Sequence, residues 1–397
     1  MSRSAKHLAP KEPRSRADAS EREVRRPAPE RRGLPRGVKI VIIVVAILLV
    51  LVLAAYLVFS HFYGKMNYTE AMTESERADA IAAYTVGQAQ LPAEPEEPEE
   101  IPEDAEVIPE EKVQDIQDVI QEQLAASGGS LISDKDIINI LLIGTDARNM
   151  NEKARSDVML LVSVNQRTKK IILTSFMRDI YTYIPGYGYN RLNTPNSIAG
   201  PDYLIETLEY DFGIDINNYA MVNFYAFADV IDTLGGIDLA LTDREVDFIN
   251  GQAYYGEQAN LGVGTGAVYL DYSSDGWYHL NGTQALAHCR NRSSAGSDFD
   301  RTSRQRTVIN TLLERAKSVP LSELYTLANV VLPMVTTDLT QGDCLSLLLK
   351  SGDYLTYDIV QYRVPGDNYD LAMISGMSVI QINFETSAAN LQDFIYS

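Results

Sequence analysis

Asp136-Ile-Ile-Asn-Ile-Leu-Leu-Ile-Gly144 is a continuous apolar run closed by a glycine. Such a run predicts a strand buried on both faces, the habit of an inner strand in an α/β sheet. Working outward, Val158–Val164 and Lys170–Phe176 are two further β-rich runs. The polar stretch 165–169 between them makes the pair read as a hairpin. Pro201–Phe212 has helical spacing (Leu204, Leu208, Phe212) with Gly213 as a stop. Tyr219–Phe224 then reads as a strand, Tyr225–Leu234 as a helix and Ile237–Leu241 as a strand. Asn281–Cys289 begins like a capped helix, and Thr302–Ser318 is a long amphipathic one. This alternation predicts the α/β class: a layered α-β-α domain whose helices cover both faces of a central mixed sheet. The domain should start near Asp134 and occupy 134–320, with 321–397 as its C-terminal part.

Upstream the composition changes. Ile40–Phe59 is twenty residues without a charge, and at about 1.5 Å per residue a helix of that length crosses about 30 Å of hydrocarbon. Residues 1–39 hold twelve Lys/Arg against five Asp/Glu. The positive-inside rule therefore predicts a basic cytoplasmic arm at 1–39, one transmembrane helix at 40–59 and an extracellular remainder at the cell membrane. The arm is explained by topology and anionic lipid, without nucleic acid. The whole chain of 397 residues is nonetheless strongly acidic, with a formal charge of -20. That excludes a generic nucleic-acid-binding body. Residues 92–111 contain ten acidic residues and five prolines, so an acidic, Pro-rich extracellular linker is expected at 60–133. Within it Val113, Ile116, Val119, Ile120 and Leu124 recur at helical spacing.

The polar residues that demand explanation are arginines and aspartates. The first strand ends in Asp146 and Arg148, and Arg155 and Asp157 open the hairpin, whose second strand ends in Arg178-Asp179. Open α/β sheets place ligands at such strand ends. A denser group follows: Arg290, Arg292, Asp298, Asp300, Arg301, Arg304, Gln305 and Arg306. On a helix starting near Thr302, Arg301 and Gln305 share a face, with Arg304 beside them. Guanidinium forks match phosphate oxygens in pairs, and aspartates supply hard ligands for magnesium. The pattern points to a Mg2+-assisted, arginine-lined site for a phosphate or pyrophosphate, and does not choose a reaction. No Walker lysine loop, GxSxG elbow, HExxH or CxxC accompanies it, which argues against NTPase, serine-hydrolase, zincin and thioredoxin chemistry. With two cysteines, Cys289 and Cys344, a disulfide scaffold is excluded, while one disulfide or two separate thiols both stay open.

Asn139-Ile-Leu-Leu-Ile-Gly-Thr-Asp146-Ala-Arg148, Arg155-Ser-Asp157, Arg178-Asp179, Arg191-Leu-Asn193, Leu234-Gly-Gly-Ile-Asp238, His279–Ala287, Arg290-Asn-Arg292 and Asp298–Gln305 follow one another in the order seen in the LytR-CpsA-Psr family. The chain resembles that family most strongly over 137–318. The resemblance implies a membrane-bound transferase of Gram-positive-type envelopes. It would move wall teichoic acid or capsular polysaccharide from undecaprenyl pyrophosphate onto peptidoglycan N-acetylmuramic acid, releasing undecaprenyl phosphate. Carried over by motif, Asp146 and Asp157 would hold Mg2+, with Mn2+ as a substitute. Arg155, Arg178, Arg290, Arg292, Arg301, Arg304 and Gln305 would grip the pyrophosphate. Asp157, Asp179 and Arg178 are the expected catalytic set, one of the two aspartates taking the acceptor's proton. Arg191 replaces a frequent lysine, His288 a frequent tyrosine and Asp300 a frequent glycine. His288 is expected to be a buried structural residue. A lipid-pyrophosphate hydrolase and a non-enzymatic envelope regulator are the competing readings.

Overall fold

A computed structural model describes residues 53, 55–90, 105–127, 131–145, 147, 153–254, 269–291, 298–316 and 320–397. The basic arm, the expected anchor up to residue 52, the acidic stretch 91–104 and the two site candidates Asp146 and Arg292 lie outside these residues. No described helix is long and apolar enough to cross a membrane.

The N-terminal elements are β1 (Asn67–Tyr68), α1 (Glu74–Gln90), β2 (Glu106–Val107) and α2 (Glu110–Ser127). Next come β3 (Ile137–Thr145), β4 (Ser156–Asn165), β5 (Lys170–Phe176), β6 (Tyr181–Ile184) and β7 (Gly188–Arg191). After α3 (Thr194–Ala199) and α4 (Pro201–Phe212) the chain forms β8 (Asn218–Asn223), α5 (Phe224–Thr233), β9 (Ile237–Ala240) and α6 (Asp243–Tyr254). β10 (Trp277–Leu280), α7 (Gly282–Arg290), α8 (Asp298–Ala316) and α9 (Leu321–Val331) follow. The last elements are β11 (Thr336–Thr337), α10 (Gln341–Tyr354), β12 (Asp358–Val364), β13 (Asp370–Ile374), β14 (Met377–Gln381) and α11 (Phe384–Tyr396).

A mixed seven-stranded sheet in the order β1-β11-β8-β3-β4-β5-β12 organises these elements. β3 runs parallel to β8 and antiparallel to β4, and β12 runs parallel to β5. Because β4 is reversed, its first residues lie beside the last residues of β3, with Gly144 opposite both Val158 and Val222. The expected hairpin of β4 and β5 is present, and Gly213 ends α4 in a left-handed conformation, as its position predicts.

The two faces of β3 differ. Ile137, Leu141 and Ile143 are buried in the main core with Phe176, Leu208, Phe212, Phe384 and Leu391. Each such fully buried side chain contributes about 1.5–3 kcal/mol. The alternate residues Leu142 and Gly144 are only half-buried and line a cavity roofed by α5, α7 and α8. The expectation of a strand solidly packed on both faces is thus corrected. Its apolar run is continuous because one face meets core and the other meets an apolar hollow.

Much of the expected linker 60–133 is folded. β1 pairs with β11, and Lys65 Nζ donates to Asn329 Oδ1 at 2.6 Å. Met72, Ile81 and Tyr84 pack against the buried cluster of Ile184, Ile198 and Tyr203. In α2 the helical apolar stripe seen in the sequence seats Ile120 and Leu124 in the main core, at 4% and 2% exposure. The described parts of the expected linker, 60–90 and 105–127, contain α1, α2 and two short strands of the domain, while residues 92–104 of the Pro-rich spacer lie outside the described residues. An apolar stripe every three to four residues needs a core, and the domain supplies one. The segment 321–397 likewise completes the domain, adding β11 and β12 to the sheet and α11 to the core.

Candidate active site

The cavity has a volume of about 420 Å³. Its floor is the even face of the sheet, with Leu142, Val158, Ala220 and Val222, and its roof carries Phe227, Leu286, Ile309 and Leu312. Polar residues enter this lining at few places: Asp157, Asn223, Arg290, Arg301 and Gln305. The combination of an apolar hollow and a few charged residues in its wall suits an amphiphile with an anionic head.

Local sequence explains how the mouth is positioned. Asn223 ends β8 and caps α5, its side chain accepting from Ala226 N at 2.9 Å. Asn281 opens α7 with a capping box shared with Gln284. Gly282 lets α7 cross α5 closely, since a Cβ there would run into the Ala228 carbonyl. α8 starts at Asp298, four residues earlier than expected. Its turn spacing puts Arg301, Gln305, Ile309 and Leu312 on the cavity side, while Val308 joins a separate core with Ile237, Leu280 and Cys289.

Each site candidate among the described residues has a definite place. Arg301 is 4% exposed at the cavity wall. Gln305 Nε2 donates to the Cys289 carbonyl at 3.4 Å. Arg290 is exposed, its guanidinium 5.5 Å from the Phe224 ring centre. Asp157 lines the cavity and accepts from Arg178 Nη1 at 2.7 Å. Arg178 also approaches Asp179, Nε to Oδ2 at 3.5 Å, and Arg191 Nε lies 3.7 Å from the other Asp179 oxygen. Asp179 and Arg178 therefore stand behind Asp157 rather than on the cavity wall. Arg155 is exposed at the start of β4, two residues before Asp157.

Arg304 goes elsewhere. It donates to the Asn291 carbonyl, and its Nη1 is 3.7 Å from Glu245. It does not line the cavity; one helical position separates it from Arg301's face, and there it ties α8 to α7 and α6. His288 belongs to the same buried cluster, with Nδ1 3.8 Å from Glu245 Oε1. Burial, helped by the neighbouring Arg304, pushes its pKa down to about 4 against the pull of Glu245. The expectation of a buried histidine agrees with this, and Glu245 is a member the sequence did not single out. Cys289 and Cys344 are separate free cysteines, and burial pushes the Cys289 thiol up to about 12.

For the expected Mg2+, no cluster of three or more His, Cys, Asp or Glu ligands exists among the described residues. Asp157 offers one carboxylate at the mouth, and the second expected ligand, Asp146, lies outside those residues. One or two carboxylates, completed by water and substrate phosphate, are what Mg2+ commonly takes from a protein. The donor set present is compatible with the ion.

The LytR_cpsA_psr family model matches residues 103–393. The polyisoprenyl-teichoic acid–peptidoglycan teichoic acid transferase TagU of Oceanobacillus iheyensis is 32% identical over 226 residues, 55% of this chain and 64% of that protein. The match thus spans less than two thirds of that relative. The regulatory protein MsrR of Staphylococcus aureus is 29% identical over 263 residues, 65% of this chain and 74% of MsrR. The solved structure of the LytR-CPS2A-psr family protein YwtF (TagT) with bound octaprenyl pyrophosphate lipid has a TM-score of 0.50 at 22% identity, covering 68% of this chain and 95% of that one. That likeness is one of fold. The family match over most of the chain and the ordered arginine and aspartate motifs have one source: the chain belongs to the LytR-CpsA-Psr family.

Proposed function

We propose that the protein is a membrane-anchored phosphotransferase. It moves an anionic glycopolymer, wall teichoic acid or capsular polysaccharide, from a polyprenyl pyrophosphate to peptidoglycan on the outer side of the cell membrane. Its anchor is the apolar run at 40–59. The observation that carries this reading is the apolar cavity whose mouth bears Asp157, Arg290, Arg301 and Gln305. A TagU relative named as a teichoic acid transferase and a TagT structure holding octaprenyl pyrophosphate lipid support the same substrate class.

In this reading the polyprenyl chain lies against Leu142, Val158, Phe227 and Ile309. Arg301, Arg290 and Gln305 bind the pyrophosphate, and Arg155 and Arg292 are further arginines assigned to it by motif. As the acceptor hydroxyl attacks, negative charge grows on the phosphoryl oxygens and on the departing lipid phosphate. A guanidinium fixed in a low-dielectric wall stabilises that charge without reorganising. Asp157 is the one carboxylate lining the cavity among the described residues; its Oδ1 is held by Arg178, so its other oxygen either takes the acceptor's proton or, with Mg2+ bound, would hold the ion. Arg178 orients Asp157, and Asp179 with Arg191 holds Arg178. Asp157 and Asp146 are the residues that would hold Mg2+, which when bound supplies charge neutralisation at the phosphoryl group.

The test uses the full chain in detergent with a lipid-pyrophosphate-linked glycopolymer and peptidoglycan oligomers. Covalent polymer–peptidoglycan product is expected. Release of free phosphorylated polymer alone would instead identify a hydrolase. Neither product, despite bound lipid, would favour the regulatory role that the name of the staphylococcal relative suggests.

A further inference from the structure

Away from the lipid cavity, α2 and the β13–β14 hairpin border a second hollow of about 590 Å³. It shares Asp367, Asn368 and Asn383 with a smaller one of about 160 Å³ beside α11. Neither is lined by Lys, Arg or His. Ile116, Val119, Ile120 and Ile382 give the larger one an apolar component, Tyr369 adds an aromatic ring, and amides and carboxylates supply the rest.

The hydrogen-bonding capacity here is only partly spent. Asn383 Oδ1 accepts from Thr386 N at 2.8 Å, and Gln123 Oε1 accepts from Phe384 N at 3.0 Å. Each uses its oxygen on the start of α11, which leaves its NH2 group to donate elsewhere. Gln381 Nε2 is buried with no partner among the described residues. Asn368 and Asp370 are exposed on the rim.

We propose that this hollow is a binding site for an uncharged saccharide chain. A pyranose offers hydroxyls that both donate and accept, together with apolar C–H faces. Mixed amides and carboxylates around apolar side chains match both properties. Asp115, Asp367 and Asp370 in the lining repel a phosphodiester polymer, so the site selects a neutral stretch of glycan and differs in sign from the arginine-lined mouth. This goes beyond the transferase reading, and binding here can be measured without turnover. The occupant is either a glycan strand of the wall or an uncharged sugar stretch of the polymer being moved.

The experiment titrates the full chain in detergent with the neutral N-acetylglucosamine tetramer, with maltotetraose and with a glycerol-phosphate polymer, by calorimetry. Saturable binding of at least one neutral sugar is expected. A response to the N-acetylglucosamine tetramer alone assigns the wall-type glycan, and a response to maltotetraose assigns a hexose chain. Asn368→Ala, on an exposed loop, and Asp370→Ala, at the exposed first position of β13, should each weaken binding about tenfold. Geranylgeranyl pyrophosphate should not displace the sugar. No saturable binding, binding untouched by both variants, displacement by the pyrophosphate, or tighter binding of the phosphate polymer would each overturn the proposal.

Discussion

At the scale of single residues, two arginines three positions apart have different work. Arg301 faces the cavity and Arg304 faces a buried carbonyl and Glu245. Arg301→Ala should therefore lower kcat/KM by about 10²–10³-fold, the usual cost of losing a preorganised charge donor. The loss of rate should exceed the effect of any fall in thermal midpoint, which the burial of Arg301 makes finite. Arg304→Ala should do the opposite and lower stability by about 1–3 kcal/mol, because it strands a buried acceptor and Glu245. Parallel melting curves and rates check both; a catalytic loss in Arg304→Ala at full stability would return it to the site. His288 adds a pH test. Its unfolded imidazole takes a proton near pH 6.5, its folded one only near 4. Between those values the unfolded state binds more protons, so stability should fall as pH drops from about 6.5 towards 4. His288→Gln should flatten that slope in urea titrations at pH 7 and pH 5.

At the scale of elements, the α5–α7 crossing sets the cavity roof. Gly282 has no room for a methyl group against the Ala228 carbonyl. Gly282→Ala should cost about 1–3 kcal/mol as an overpacked contact. It should also weaken lipid retention, since Phe227 and Leu286 on these helices line the cavity. Gly251→Ala in α6, where a Cβ meets nothing, serves as the control, and an equal loss in both would refute the packing argument. The capped start of α7 was legible because Asn281 and Gln284 stand at capping-box spacing. The start of α8 was not, since Asp298-Phe-Asp300 carries no periodic signal distinct from a loop.

For the whole molecule, terminal elements are part of the core. Phe384, Leu391 and Ile395 of α11 are fully buried, and Gln392 Nε2 donates to the Phe212 carbonyl at 2.8 Å. Deleting residues 384–397 removes about 5–9 kcal/mol of apolar burial from those three side chains. That rivals a domain's whole stability, so the truncated chain should lose cooperative unfolding by circular dichroism. A sharp transition near the full chain's midpoint would show α11 to be an accessory.

The types of the elements named from the sequence within 137–318, the hairpin, the Gly213 helix stop and the arginine–aspartate inventory are legible in the residues, because periodicity, capping and turn chemistry are local. The sequence also determined the family, through eight short motifs in order. That one face of β3 is core and the other a cavity wall emerges with packing in three dimensions, since an apolar run reads the same against either. The tertiary structure likewise separated Arg301 from Arg304, and brought Glu245 to His288 across 43 positions of sequence. The packing of α1 and α2 onto the domain, where a solvated linker was expected, is settled there too. An amphipathic stripe announces that a helix needs a partner, and only the assembled chain shows which surface meets it.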